Sequence, residues 1–313
     1  MANQYLNLLD VAKFNADDKV IEMIEENLNV APEARLLPAG TIKGTSFWTL
    51  IRTNFPQPSF RHVNEGTETL KSTYENKLAE AFYLDGQLEM DVAAAQADEE
   101  GEQHALQLEG SGIMRGSLTK LGTQLWYGTT SDAKGFPGAQ QVVDAALVSD
   151  AGGTTATTGS SVYGLKLGPQ FVRFLFGLGN VFTLGEWRKQ FVTRSSKELE
   201  AWKNSLSGYV GVQWVNKWAV GRLKDITEDS GKTLTDALIG LWLVKFPVGM
   251  KPDVLFMSRR SAAQLQVARS ATSITNSRQK QSDGLDVWAP EPTSSNGIPI
   301  VVTDSLLNTE TLT

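Results

Sequence analysis

His62 and His104 carry almost all the capacity of this chain for proton transfer near neutral pH. His104 stands four residues after Glu100, so a helix would place both on one face as a candidate metal pair. Two ligands do not make a site, and no neighbouring His or Cys extends the pattern. The simpler expectation is that Asp98, Glu99, Glu100 and Glu102 form a solvated acidic face near a helix N-terminus. Gly128–Gly135 (GTTSDAKG) has the outline of a phosphate loop. It fails at Ala133, where the second glycine is required, and at Gly135, where magnesium needs Ser or Thr. Gly177-Leu178-Gly179 lacks the third glycine of a dinucleotide fingerprint, and no Gly-x-Ser-x-Gly elbow occurs. Asp283 and Asp286 fall in a polar stretch without an arguable pocket. Trp214, Trp218 and Trp242 have the types of a base-stacking or sugar platform, but their apolar surroundings point to core packing. Arg259, Arg260, Arg269, Arg278 and Lys280 form a modestly basic region suited to nucleic acid, solvent or another subunit. No catalytic, cofactor-binding or metal site emerges, and the expectation is a protein that is not an enzyme.

Composition narrows the remaining classes. The 313 residues, 41% hydrophobic and 20% charged, suffice for one large or two ordinary domains with real cores. A net charge of −6 argues against a surface that coats nucleic acid generally. There is no cysteine, so neither disulfides nor thiolate metal sites hold the fold. No apolar run approaches membrane-spanning length and no signal pattern opens the chain, so the expected setting is a reducing cytoplasm without a membrane partner.

The elements follow from periodicity. Asp17–Val30 reads as a short amphipathic helix, and Phe82–Val92 alternates as a half-buried strand. Asp91 can cap a helical stretch reaching about Tyr127, bent at its glycines and spanning roughly 50 Å if continuous. Turn-rich Gly128–Gly138 stops it, and Ala151–Ser161 reads as a loop. Strands are expected at Val162–Leu167, Phe171–Phe176, Val254–Met257 and Ile298–Thr303. Tyr209–Val215 and Trp218–Ile226 read as a hairpin. Helices are expected at Thr235–Lys245, capped by Thr233 or Thr235, and from Arg259 to about Ser270, capped by Ser258. Thr272–Asn296 reads as loop. Without βαβ regularity the class is α+β.

Ala39–Gly66 is the stretch that makes least sense in isolation. It reads as two extended arms, Phe47–Phe55 and Phe60–Glu65, around Pro56-Gln57-Pro58. Such a hairpin displays Phe47, Trp48, Leu50, Ile51, Phe55 and Phe60 on two faces, and a lone hairpin is marginal in water. Something outside its own domain must cover it. Trp48, Arg52, Phe55, Phe60, Arg61 and Glu65 are the expected contacts with another subunit.

The order of elements, with the stretches PAGTIKGTSFWTLIRTNFP, FRHVNEG, LWYGTTSDAKGFPGA, DAGGTTATTGSSVYGLKLGP and GIPIVVTDSLLNTE, resembles the major capsid proteins of tailed bacteriophages, the Hong Kong 97-type fold. The resemblance implies an N-terminal arm (1–38), an extended E-loop with its returning strand (39–90) and a peripheral domain with a spine helix (91–140). It further implies an axial domain (141–290) and a closing strand of the peripheral domain (291–313). It implies pentamers and hexamers in an icosahedral virion shell around double-stranded DNA contacted non-specifically, assembled in a bacterial host cytoplasm. Further partners would be a portal, a separate scaffolding protein and, as a further candidate, a decoration protein. The short segment before the loop favours separate scaffolding. Crosslinking through Lys43 is not carried over, because neither an asparagine partner nor a catalytic acid can be matched. The rival readings are an encapsulin-like nanocompartment of the same fold with an enzyme cargo, and a soluble α+β enzyme or glycan binder.

Overall fold

Apolar residues of the central strands build two sheets, and one long helix packs on the first and reaches the second at its C-terminal end. The computed structural model describes residues 31–179, 183–194, 196–276 and 290–312. The helix expected over Asp17–Val30 lies outside the described residues, as do Arg278, Lys280, Asp283 and Asp286. A short helix α1 (Glu33–Leu36) leads to β1 (Ala39–Thr41), β2 (Ser46–Asn54), β3 (Thr73–Glu80) and β4 (Phe82–Asp91). Helices α2 (Val92–Gln96), α3 (Glu102–Tyr127) and α4 (Ala139–Val142) follow, then β5 (Val148–Asp150), β6 (Ser160–Leu165) and β7 (Val172–Phe176). Next come β8 (Thr183–Leu184), β9 (Arg188–Arg194), β10 (Lys197–Trp214) and β11 (Val220–Ile226). The chain closes with α5 (Asp236–Leu243), β12 (Val254–Met257), α6 (Arg259–Asn276), β13 (Ser294–Ser295) and β14 (Ile298–Val302). The class is α+β, as expected.

The first sheet has the order β1-β7-β10-β4, with β8 and β9 also paired along β10. The second has the order β13-β14-β12-β6-β11-β5, and β2 with β3 makes a separate two-stranded sheet. Residues 172–214, expected in the 141–290 lobe, thus supply strands beside β4. The closing strand, expected with the peripheral lobe, pairs in parallel with β12 of the second sheet. Only the residues after it run back to α3, where Leu307 N donates to Tyr127 Oη over 2.8 Å.

Trp126, at the C-terminal end of α3, stands where the two sheets meet. Its ring stacks on Tyr163 of β6 and tilts against Phe256 of β12, with centroids 5.0 and 5.1 Å apart. Fully buried Trp242 centres a second core with Leu223, Ile239, Leu255 and Leu265, and its Nε1 donates to Leu147 O over 2.9 Å. Trp214 is buried and Trp218 packs against the same core, in keeping with the packing expected of all three tryptophans.

Four expectations are corrected. The helical stretch after Asp91 is two helices, because Asp91 caps only α2 and Gly101, at φ 99°, separates it from α3. The 26 residues of α3 span about 39 Å rather than 50 Å. β10 and β11 are not a hairpin: a 3₁₀ turn at Lys217–Ala219, capped by Asn216, sends them into different sheets. The second arm of the Ala39–Gly66 hairpin is not Phe60–Glu65 but Thr73–Glu80, whose side chains face solvent almost throughout. Finally, α6 runs to Asn276, beyond Ser270, because nothing between them breaks a helix.

Candidate assembly interface

Backbone pairing at its base ties the β2–β3 arm to the first sheet. Ile42 N donates to Phe176 O over 2.8 Å, Gly179 N to Ile42 O over 2.8 Å, and Ala81 N to Thr45 O over 2.8 Å. Gln213 of β10 donates from Nε2 to Thr49 Oγ1 over 3.4 Å. The chain crosses β10 at Gly211, where a Cβ would lie 2.1 Å from Glu80 O, so only glycine permits this approach. The root of the arm is therefore fixed to the subunit body. Beyond it, β2 and β3 pair from Ser46↔Glu80 out to Asn54↔Thr73, with a register shift between Arg52 and Asn54.

The distal arm has no such cover. Trp48 and Leu50 are each 65% exposed, Phe55 is 67% exposed, and Phe60 at 109% touches essentially nothing. Leu78 and Tyr74 add apolar surface from β3. Several large apolar side chains exposed on one arm are of the kind that marks a protein–protein contact. Arg52 lies 5.5 Å from the Phe55 ring centroid and 5.4 Å from that of Tyr74. Its Nη2 also donates to Tyr74 Oη over 3.3 Å. That guanidinium holds a pair of aromatics through cation–π contact, and no carboxylate among the described residues pairs with it. At the tip, Arg61 Nη1 donates to Glu65 O over 2.6 Å, and Glu65 Oε2 accepts from His62 N over 3.1 Å. Arg61, His62 and Glu65 thereby form one turn at the tip of the arm.

The other chemically suggestive residues prove structural. Both ring nitrogens of His104 face carboxylates, Nδ1 to Asp98 and Nε2 to Glu100, each at 2.9 Å. Asp98 is buried rather than part of a solvated face, because it pairs with that ring and accepts from Glu100 N. Among the described residues no group of three or more metal-ligating side chains occurs. The basic region of α6 is spent within the chain. Arg259 pairs with Asp304, Arg269 with Asp236, and Arg260 donates to the carbonyls of Thr158, Ile226 and Asn308. Asp229 accepts from the backbone N–H and hydroxyl groups of Thr154 and Thr155, which pin the threonine-rich loop and hold its carboxyl below the usual carboxylate range.

Sequence reasoning missed two buried polar networks that tie Glu33 and Glu310 to α3. Glu310 accepts from Tyr127 Oη at 2.7 Å and pairs with Arg222 Nη2 at 3.1 Å, with Ser161 bridging the last two. Burial, together with the Glu310 charge, pushes the Tyr127 hydroxyl up. Glu33 of α1 is fully buried and accepts from Trp126 Nε1 over 2.8 Å and from Thr303 Oγ1. The only available signal was Arg222 set among the apolar residues of VGRLKDI.

The described residues contain no helix long and apolar enough to cross a membrane. Residues 14–313 match the family model described as major capsid protein GP7. No match is found among curated proteins. Among solved structures, a chain from the near-atomic structure of bacteriophage Epsilon15 is similar at a TM-score of 0.70 and 17% identity, covering 99% of this chain and 98% of its own. The capsid of bacteriophage JBD30 is similar at a TM-score of 0.52 and 8% identity, over 94% of this chain and 98% of the other. A chain of the SrpI encapsulin complex from Synechococcus elongatus PCC 7942 gives a TM-score of 0.45 at 10% identity, over 71% and 97%. The fold is thus that of phage capsid proteins, and with 300 of its 313 residues matched the chain belongs to the major capsid protein GP7 family.

Proposed function

We propose that copies of this capsid protein assemble as pentamers and hexamers into an icosahedral phage head enclosing double-stranded DNA, each β2–β3 arm lying over a neighbouring subunit. The observation that carries the clasp is the arm itself, rooted in the first sheet and displaying Trp48, Leu50, Phe55 and Phe60 to solvent. Burying Trp48, Leu50, Phe55 and Phe60 would contribute on the order of 6–12 kcal/mol. Association costs about 4–15 kcal/mol in lost freedom and ordering. One clasp therefore roughly breaks even, and stability requires a closed lattice in which every subunit both gives and receives an arm. Arg52, Arg61 and Glu65 would add polar contacts at the rim of that interface.

A second exposed apolar group, Leu241, Val244 and Val248 at the end of α5, supports clustering of the second lobe around the symmetry axes. DNA would be contacted weakly and without sequence preference, since the net charge is −6 and the described arginines of α6 are paired internally. A separate scaffolding protein, a portal and a decoration protein complete the set of partners, with assembly in the bacterial cytoplasm. The test is sedimentation and electron microscopy of the purified chain, with capsomers or shells expected. A stable 34.1 kDa monomer at high concentration overturns the reading. Long DNA in isolated particles supports a phage head, whereas an enzyme passenger would make the shell a nanocompartment.

A further inference from the structure

We propose that residues 303–310 form a strap that fixes the angle between the first and second sheets, with Glu310 as its latch, and thereby sets the curvature of the assembled shell. The lock belongs to the single subunit, whereas its consequence for curvature rests on the shell reading above. Helix α3 is the element that passes from one sheet to the other. Ile113, near its middle, lies against β4, where a Cβ on Gly86 would sit 3.0 Å from Ile113 Cδ1. Trp126, at its end, stacks on Tyr163 of β6. Turning the first sheet about the 3₁₀ link at Lys217–Ala219 would carry α3 along and drag its last turn across β6 and β12. The strap lies across that last turn.

The strap is held from both bodies. Thr303 N donates to Met257 O of β12 over 3.0 Å, and Leu306 is buried in the same core as Trp126. Glu310 exchanges backbone hydrogen bonds with Gly159, at 2.9 and 3.2 Å, just before β6. Its carboxylate then spans the junction, one oxygen to each side. Oε1 accepts from Tyr127 Oη of α3, and Oε2 accepts from Ser161 of β6 and Arg222 of β11. The Glu310 and Arg222 side chains are 6% and 7% exposed, so water cannot replace a lost partner. A changed angle would part the Tyr127 hydroxyl from Glu310 Oε1, leaving both buried and unsatisfied, or would strand the Arg222 charge. Only one angle serves both oxygens, which makes the strap a lock rather than a hinge.

Y127F removes the hydroxyl that bridges Glu310 and Leu307 N while leaving the Arg222 pair, and E310D keeps the charge but is too short to serve both sides. In dissociated subunits of either variant, amide exchange should quicken about tenfold over residues 306–310 and the last turn of α3, as loss of a buried hydrogen bond implies. Exchange in β6 and β12 should stay at the wild-type rate. Shells of either variant should spread over several diameters in electron microscopy, where the wild type gives one. A third variant, G122C/S305C, closes the strap covalently, since a Cβ at residue 122 would lie 3.2 Å from Ser305 Cβ, close to disulfide spacing. Once oxidised it should give shells of wild-type diameter. Y127F and E310D shells of uniform wild-type size overturn the proposal. So does an oxidised crosslink that blocks the shells its reduced form makes, because the strap would then have to open. Should Y127F and E310D fail to fold, the crosslinked variant decides alone. If the wild-type chain forms no shells, the shell reading falls together with the curvature. The exchange rates then test the lock by themselves, and unchanged rates over 306–310 overturn it.

Discussion

Glu33 is a fully buried carboxyl that no cation pairs with among the described residues. Trp126 Nε1 and Thr303 Oγ1 serve one oxygen, while Oε2 has no donor. Desolvation therefore outweighs the hydrogen bonds and raises its pKa above the ordinary value of 4.5. The native state then holds a proton that the unfolded chain releases, so stability falls as pH rises from about 4.5 toward the native pKa, by up to roughly 1.4 kcal/mol per pH unit. E33Q, which keeps the shape and cannot ionise, should gain melting temperature relative to wild type as pH rises. Calorimetry between about pH 4 and pH 8 checks this, and a constant difference across that range would refute it. This residue was illegible in the sequence. PEARLLP reads as an ordinary polar turn, and only the approach of α3 and residues 303–305 makes it a core position.

At the scale of elements, legibility followed burial on one face. β4 largely alternates and β12 is a short apolar run buried throughout, as their sequences dictate, and in α5 Thr235 Oγ1 accepts from Leu238 N over 3.2 Å as an N-cap should. β3 was missed because KSTYENKLAE is solvated on nearly every side, which leaves no hydrophobic period to read. The first half of β10 was missed for a related reason: KELEAWKNSLSG has weak strand propensity, and its pairing with β9 and β4 decides its state. The end of α3 depends on Gly128, at φ 53°, where a Cβ would lie 2.0 Å from Gly138 N. G128A should therefore destabilise the fold by roughly 2–4 kcal/mol in urea titration. G112A offers the contrast, because a Cβ there meets nothing within 4 Å inside the same helix. It should stabilise by about 0.5–1 kcal/mol. Equal effects of the two substitutions would show that helix propensity, not the turn, controls this region.

For the whole molecule, an arm that is bare in one subunit makes assembly and folding stability inseparable. Shells should melt at a higher temperature than dissociated protein, and the difference should shrink on dilution, as mass action requires. Scanning calorimetry of both forms at two concentrations tests this, and coincident melting curves would mean that the arms contribute nothing to the lattice. The sequence by itself determined the α+β class, the lack of thiol chemistry and the presence of an apolar arm that its own lobe does not cover. Those properties depend on local periodicity, on residue types and on the count of apolar side chains in one stretch, all of which are carried along the chain. Only the tertiary structure decided which strand returns the arm, which sheet receives the closing strand and where the charges end. Each of those depends on partners far away in sequence: Arg222 with Glu310, Trp126 with Glu33, and β14 with β12. A buried charge or a solvated strand has no local signature, because its energy is set by what the fold brings beside it.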